Sequence, residues 1–161
     1  AAKAMGASKV VAIDWENTYR MELAKQIGAD LVLGKGDDIE AEILAFTDGQ
    51  GVDNSCEFSG SAIALSNAIK STRMGGYLNV LSVYGEADTM VPMNEIVFRY
   101  LHLKGINGRK MWSTWDIMHD LLARNAIDVD MIITHRLNWK DFQKGMELTH
   151  SGQCGKVILD F

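Results

Sequence analysis

The chain is 161 residues long, with 47% hydrophobic and 23% charged residues, a composition typical of one soluble globular domain with its own core. The formal net charge of -5 at pH 7 argues against nucleic acid as a partner, because binding to a phosphate backbone needs a cationic face. No apolar run is long enough for a membrane helix and no signal peptide is recognisable, so we expect neither a membrane partner nor secretion.

The first residues, Ala1 to Ala7, are typical of the end of a helix, with Gly6 in the position of a C-terminal stop. A natural chain seldom begins in mid-helix without a start methionine. We therefore expect this sequence to be a piece of a longer protein.

The run Lys9-Val10-Val11-Ala12-Ile13-Asp14 is apolar and β-branched and ends in one carboxylate. Such a run predicts a strand buried on both faces of a parallel sheet. An acid at the carboxyl end of such a strand lies where open α/β sheets bind their ligands. Asp14 therefore either accepts hydrogen bonds from a ribose diol or caps the following helix, and this stretch alone favours neither role.

Helical and strand patterns alternate along the rest of the chain. The predicted helices are 17–27, 39–46, a helix that Ser61 caps and that extends to Gly75-Gly76, 93–100, 111–122 and 142–149. The predicted strands are 30–33, 52–58, 77–83, 101–106, 132–135 and 155–161. This alternation predicts an α/β fold with a doubly wound parallel sheet, of the Rossmann-like kind, without an internal domain boundary.

Residues that carry chemistry are scarce. No glycine-rich phosphate loop is recognisable, and Glu57, at a strand end, is expected to order a loop rather than to transfer protons. Two distant cysteines without metal-ligand spacing indicate a reducing compartment, the cytoplasm, and four histidines without ligand neighbours are expected to be structural or exposed. The remaining functional signal is a set of strand ends that share one edge of a parallel sheet, which predicts a ligand crevice: Asp14, Ser59, Val83 and Asn107.

Several motifs stand out in chain order: Lys9 to Asp14, Tyr19 to Ala24, Gly51-Val52-Asp53 and Glu57-Phe58-Ser59-Gly60. Together they resemble the cofactor domain of the medium-chain zinc alcohol dehydrogenases. Later motifs are similar to the threonine-oxidising subfamily of these enzymes: Gly105 to Arg109 with Thr114-Trp115, Ile132 to Arg136, Asp141 to Gly145 and Ser151 to Val157. The resemblance covers the whole chain in order.

The resemblance assigns roles to single residues of a site for NAD. Asp14 matches the acid on the adenosine ribose and implies NAD rather than NADP, because it would repel a 2′-phosphate. Arg20 matches a basic residue beside the ribose or adenine, although the loop before it is one residue longer than the family pattern. Two segments match the nicotinamide side: Leu81, Ser82 and Val83 in one, and Ile106 and Asn107 in the other, where a tyrosine or threonine is commoner than Asn107.

The resemblance also implies an activity, in which a catalytic zinc polarises the substrate hydroxyl while hydride passes to NAD. The expected reaction is oxidation of a secondary alcohol, L-threonine, to 2-amino-3-oxobutanoate. The zinc ligands, the glycine-rich loop and the first strand would all precede residue 1, so residues 1–161 would form a partial NAD-binding domain. We expect this chain alone to be inactive. Its sheet would lack the strand between the Val10 strand and the strand at 52–58. We expect the chain to rearrange or to pair with another copy.

Three rival interpretations stay open on the sequence. One is a polyol or butanediol dehydrogenase of the same family, since the absent part would decide the substrate. Another is a methyltransferase-like domain that binds S-adenosylmethionine, which would need a reversed final strand. In the third the chain serves as a dimerisation module. A homo-oligomer is also expected of the dehydrogenase, through the strand near residues 101–106 or its neighbour.

Overall fold

The computed structural model describes residues 1–85 and 88–161. The strands are β1 (Val11–Ile13), β2 (Leu31–Leu33), β3 (Val52–Glu57), β4 (Thr72–Val80), β5 (His102–Gly105), β6 (Ile133–Asn138) and β7 (Lys156–Asp160). The α-helices are α1 (Thr18–Ile27), α2 (Ile39–Phe46), α3 (Ala62–Ser71), α4 (Met93–Phe98), α5 (Ser113–Ala123) and α6 (Phe142–Ser151). The chain divides into two compact units: unit 1, residues 1–37 and 111–161, and unit 2, residues 38–110.

Every strand pair in the described residues is parallel, as the alternation of strands and helices predicts. In unit 1, β1 pairs with β2 and β6 pairs with β7, while in unit 2 the order is β3-β4-β5. The α/β class is therefore confirmed. Because β7 runs parallel to β6, the reversed final strand that a methyltransferase-like domain requires is not present, and that alternative is wrong.

Strand β1 is less buried than its sequence predicts. Val11 and Ala12 are half-buried, whereas Ile13 is 50% exposed. Within the described residues β2 is the one strand that pairs with β1, so the other edge of β1 is open and its apolar side chains are only partly covered.

Helix α1 covers nearly the range that its sequence predicts, with Asn17 as its cap. The Asn17 side chain accepts a hydrogen bond of 3.0 Å from the backbone N–H of Arg20, which satisfies one of the free donors at the start of the helix. Gly28 ends the helix with φ of +106°, a left-handed conformation that a glycine adopts without a steric penalty. These two ends fix where α1 lies after β1.

In unit 2 the three strands bring their carboxyl ends side by side. The register places Glu57 of β3 beside Val80 of β4, and Val80 beside Gly105 of β5. Under this sheet α3 contributes Leu65 and Ile69 to a fully buried cluster with Leu78 of β4.

The boundary between α3 and β4 differs from the prediction. The helix ends at Ser71 instead of extending to Gly75-Gly76, and β4 covers Thr72–Val80, so residues 81–83 lie beyond the strand. The reason is a set of contacts made by Thr72, whose hydroxyl donates to Ala68 O at 2.6 Å and lies 2.7 Å from the Ser55 hydroxyl of β3. Thr72 thus closes the last turn of α3 and joins the sheet at once.

The apolar faces predicted for the last two α-helices are largely exposed. On α5 the stripe that includes Trp115, which is 55% exposed, faces outward, and Leu121 is the buried residue. On α6 the buried position is Gly145, where a Cβ would lie 3.4 Å from Val157 Cγ1, so the helix packs closely on β7 through its smallest residue. Apolar residues occur on more than one face of α5, so their spacing alone did not identify the packed face. No helix of residues 1–85 or 88–161 is long and apolar enough to span a membrane.

Candidate functional site

Unit 1 contains a cleft beside the end of β1. Asp14 is held at this end because its backbone N–H donates to Leu33 O of β2 at 3.1 Å. The cleft has a volume of about 310 Å³ and is called here the Asp14 cleft; its lining residues are Asp14, Trp15, Glu16, Asn17, Thr18, Ser151 and Gln153. The carboxylate predicted to bind a ribose therefore does line a cavity.

The structure decides against Asp14 as the cap of α1. The N-cap is Asn17, and the contact of Asp14 with the helix start is a long hydrogen bond of 3.3 Å from the Asn17 N–H to Oδ1. No hydrogen bond to Oδ2 of Asp14 comes from the described residues. An ionised carboxylate can accept from several donors, so Asp14 retains acceptor capacity toward the cleft.

Another part of the lining of the Asp14 cleft comes from the end of α6 and the residues after it. The Asn17 side-chain amide donates to Gly152 O at 2.8 Å, and Arg20 Nε donates to Cys154 O at 3.4 Å. These bonds hold the segment 151–154 against α1. Arg20 itself is exposed and does not line the cleft, so its predicted contact with ribose or adenine stays a prediction.

Sequence reasoning did not select Ser151 and Gln153 as site residues. They line the Asp14 cleft although more than a hundred residues of sequence separate them from Asp14. A local pattern of hydropathy does not predict such a contact. The signal that could have found them was the motif Ser151 to Val157, which was used for the family resemblance alone.

Unit 2 carries the other predicted site residues at the carboxyl ends of its strands. Leu81 N–H donates to Glu57 O at 3.0 Å, and Ile106 N–H donates to Val80 O at 2.9 Å, so both segments continue directly from the sheet. Val83 is 91% exposed and Leu81 and Asn107 are also exposed. We call residues 81–83 with 106–107 the β4–β5 edge. Three of these five residues, Leu81, Val83 and Asn107, are exposed to solvent.

A buried carboxylate lies beneath this edge. Glu57, which ends β3, is only 3% exposed. Its carboxylate accepts from Ser59 N at 2.7 Å, Ser59 Oγ at 2.5 Å, Gly60 N at 3.1 Å and Tyr84 OH at 2.8 Å, and also from Ser82 Oγ. The expectation that Glu57 orders a loop is confirmed by these contacts.

The hydrogen bonds determine the ionisation of Glu57. Burial by itself raises its pKa, but the bonds from Ser59, Ser82 and Tyr84 favour the charged form more strongly and lower the pKa to about 2. Glu57 is therefore a carboxylate at neutral pH, with its acceptor positions occupied by the protein, which is unsuited to a general base.

The predicted site residues thus form two groups. Asp14 and Arg20 belong to unit 1, and the residues of the β4–β5 edge belong to unit 2. Within the part of the chain that the structure describes, no group of three or more His, Cys, Asp or Glu side chains could hold a metal ion. Cys56 and Cys154 are free thiols, and His102 stacks on Tyr77 with ring centroids 4.6 Å apart, a structural role.

Similarity to known proteins decides the family. A family model described as zinc-binding dehydrogenase matches residues 1–124. The chain belongs to this zinc-binding dehydrogenase family. L-threonine 3-dehydrogenase of Bacillus subtilis strain 168 is 44% identical over 160 residues, which cover 98% of this chain and 46% of that protein.

Solved structures share the fold. The 2R,3R-butanediol dehydrogenase of Bacillus subtilis matches with a TM-score of 0.87 and 26% identity, over 99% of this chain and 46% of that one. An alcohol dehydrogenase of Thermotoga maritima matches with a TM-score of 0.84 and 30% identity, over 98% and 44%. The Rossmann-like class is thereby confirmed. The chain spans about half the length of the curated relatives it matches.

Proposed function

We propose that residues 1–161 form the larger part of the NAD-binding domain of a zinc-dependent dehydrogenase that oxidises a secondary alcohol. The observation that carries this proposal is the position of Asp14, which ends a parallel strand, lines a cleft and is not used as the cap of α1. A carboxylate at that position accepts hydrogen bonds from both hydroxyls of a ribose and repels a 2′-phosphate, which favours NAD over NADP.

The dimensions of the Asp14 cleft fit one end of the cofactor. Its volume of about 310 Å³ is small for a dinucleotide site and adequate for a ribose with part of the adenine. Glu16 forms an ion pair with Lys35, so that this second acid of the cleft is neutralised, while Asp14 has no cationic partner within 4 Å in the described residues. Asp14 is the acceptor that the cleft offers to a diol, and Arg20 is proposed to lie beside the adenosine.

The β4–β5 edge of unit 2 is proposed to contact the nicotinamide part of NAD. We assign Leu81, Ser82 and Val83 and the pair Ile106 and Asn107 to the nicotinamide side, because these residues follow strand ends and Leu81, Val83 and Asn107 are exposed there. Bound NAD would accept the hydride released from the alcohol carbon. The contribution of this chain is to bind and orient the cofactor.

The residues of this chain do not fit a zinc site, as the described part holds no suitable ligand cluster. We propose that the zinc ligands, the proton relay and the glycine-rich loop belong to a preceding domain of a longer polypeptide. The relatives at twice the length support this. Hydride transfer would then require the whole polypeptide, and the chain alone would be inactive.

L-threonine is the proposed substrate, with 2-amino-3-oxobutanoate as product, because the L-threonine 3-dehydrogenase of Bacillus subtilis is 44% identical while the butanediol dehydrogenase is 26% identical. A polyol or butanediol enzyme is the alternative of the same class. The two free cysteines of this chain favour a cytoplasmic location for the enzyme.

A homo-oligomer is proposed through β5. All of its residues, His102–Gly105, are exposed, and within the described residues β4 is its one pairing strand. An open edge of this kind can pair with the same strand of a second copy. The dimerisation interpretation is then a property of the enzyme and not a rival to it.

The experiment that tests the proposed function compares initial rates of NADH formation by the complete polypeptide, loaded with zinc, on L-threonine and on 2R,3R-butanediol. We expect the higher kcat/KM on L-threonine and no NADH formation by residues 1–161 alone. Asp14→Asn should raise the KM for NAD about tenfold or more, whereas the exposed Asp141→Asn should not. Equal rates with NADP, or a higher kcat/KM on butanediol, would contradict the assignment of cofactor or substrate.

A further inference from the structure

We propose that Glu57 is a positioning residue for the cofactor, because its buried carboxylate holds the backbone of Leu81–Val83 where the nicotinamide ring lies. The inference rests on the proposed function and extends it to a residue that does not touch the cofactor. Glu57 contacts the two segments that follow β3 and β4.

Glu57 is bonded at three points to the segment after β4. The backbone carbonyl of Glu57 accepts from Leu81 N–H at 3.0 Å, and its carboxylate accepts from the hydroxyls of Ser82 and Tyr84. Residues on both sides of Val83 are therefore fixed to one buried group. A segment beyond the end of a strand is otherwise free to move, because it has left the ladder of β4.

The Ser82 side chain contacts Glu57. Its hydroxyl donates to Glu57 Oε2 and is thus directed toward the interior of unit 2. The Ser82 side chain is not available to a ligand, so the contribution of this segment to cofactor binding is made by its backbone and by the exposed Leu81 and Val83. Glu57 acts on the cofactor through the segment that it orients.

The loop after β3 lies close to the backbone of Val83. Gly60 donates to the Glu57 carboxylate, and a Cβ on Gly60 would lie 2.7 Å from Val83 O. The Glu57 carboxylate therefore draws the Ser59-Gly60 turn and the Val83 backbone against each other, with no space for a larger residue. Two loops at the sheet edge share one buried anion.

The occupied lone pairs exclude a direct chemical role for Glu57. Each carboxylate oxygen already accepts from the protein: Oε1 from Ser59 and Gly60, Oε2 from Ser82 and Tyr84. Burial, and then the hydrogen bond to Glu57, raise the pKa of Tyr84, so the phenol remains a donor at neutral pH. The contacts around Glu57 fix the positions of the segments after β3 and β4.

The test uses the 161-residue chain labelled with ¹⁵N and titrated with NADH and, separately, with ADP-ribose, which lacks the nicotinamide. In the wild-type chain NADH should shift the amide signals of residues 14–18 and of residues 81–83, and ADP-ribose should shift the first set alone. In Glu57→Gln the response of residues 81–83 to NADH should be lost and the Kd for NADH should rise about tenfold, toward that of ADP-ribose. The Kd for ADP-ribose should not change.

Controls separate positioning from a general loss of structure. Glu42→Gln, an exposed acid of α2 in the same unit, should leave both titrations unchanged. Tyr84→Phe removes one donor and keeps the carboxylate, so it should weaken NADH binding in the same direction by a smaller factor, even if Glu57→Gln does not fold. An unchanged response of residues 81–83 in both variants, or an equal loss of affinity for NADH and ADP-ribose, would overturn the inference. A complete polypeptide that binds neither ligand would contradict the proposed function itself.

Discussion

The Tyr84 hydroxyl donates a hydrogen bond of 2.8 Å to Oε2 of Glu57, although Glu57 ends β3 and Tyr84 follows β4. The pair links the loops after two neighbouring strands through one buried anion. Parallel strands pair along their length, and side chains can connect the loops that follow them. Glu57 makes that connection at the edge where α/β sheets bind ligands.

Replacement of Glu57 by glutamine should remove a pH-dependent part of the stability. The pKa of Glu57 is lowered from 4.5 to about 2 in the folded chain, so its contribution is complete above pH 4.5 and is lost as the pH falls toward 2. A shift of this size corresponds to about 3 kcal/mol. Urea unfolding between pH 2 and pH 7 should show that the difference between the wild-type chain and Glu57→Gln grows with pH over the acidic part of this range. A difference independent of pH would show that the bonds do not favour the ionised form.

Replacement of Gly60 by alanine should destabilise unit 2 by about 1–3 kcal/mol, because Gly60 has φ of +74° and its Cβ would collide with Val83 O. The free energy of unfolding in urea measures this. Gly105→Ala is the matched control, since a Cβ there meets nothing within 4 Å. Equal effects of the two substitutions would argue against the close approach of Gly60 and Val83.

Asn17 has two roles that two substitutions can separate. Asn17→Ala removes the cap of α1 and the hydrogen bond to Gly152 O, and should cost about 2 kcal/mol in unfolding free energy. Asn17→Asp keeps an acceptor for the Arg20 N–H and loses only the donor to Gly152, so its cost should be about half as large. Faster amide exchange at residues 151–154 in both variants would identify the loosened wall of the Asp14 cleft. Unchanged exchange would mean that this wall is held by other contacts.

The parts of the fold that local chemistry determines could be predicted from the sequence. Ser61 caps α3 and Gly28 ends α1 because each needs only its own few neighbours to satisfy its hydrogen bonds, whereas the cap of α1 is Asn17 and not Asp14, the candidate that the sequence offered. The end of α3 could not be predicted in this way. Thr72 leaves the helix because its hydroxyl meets Ser55 on β3, a contact between residues distant in sequence.

The candidate site shows the same division. Asp14 was identified because an acid after an apolar strand is a local pattern, and the parallel sheet gives that pattern its meaning. The wall made by Ser151 and Gln153, and the donors that surround Glu57, depend on which loops meet after folding. The hydropathy pattern and the spacing of residues along the chain do not predict these contacts.

The most direct test of the account measures binding of NADH and NADPH to the 161-residue chain by energy transfer from tryptophan, since Trp15 lines the Asp14 cleft. We predict that NADH binds and that NADPH binds at least about tenfold more weakly, and that Asp14→Asn reduces this preference while Asp141→Asn preserves it. Equal affinity for both nucleotides in the wild-type chain, or a preference that Asp14→Asn leaves unchanged, would contradict the assignment of Asp14 to the ribose of NAD.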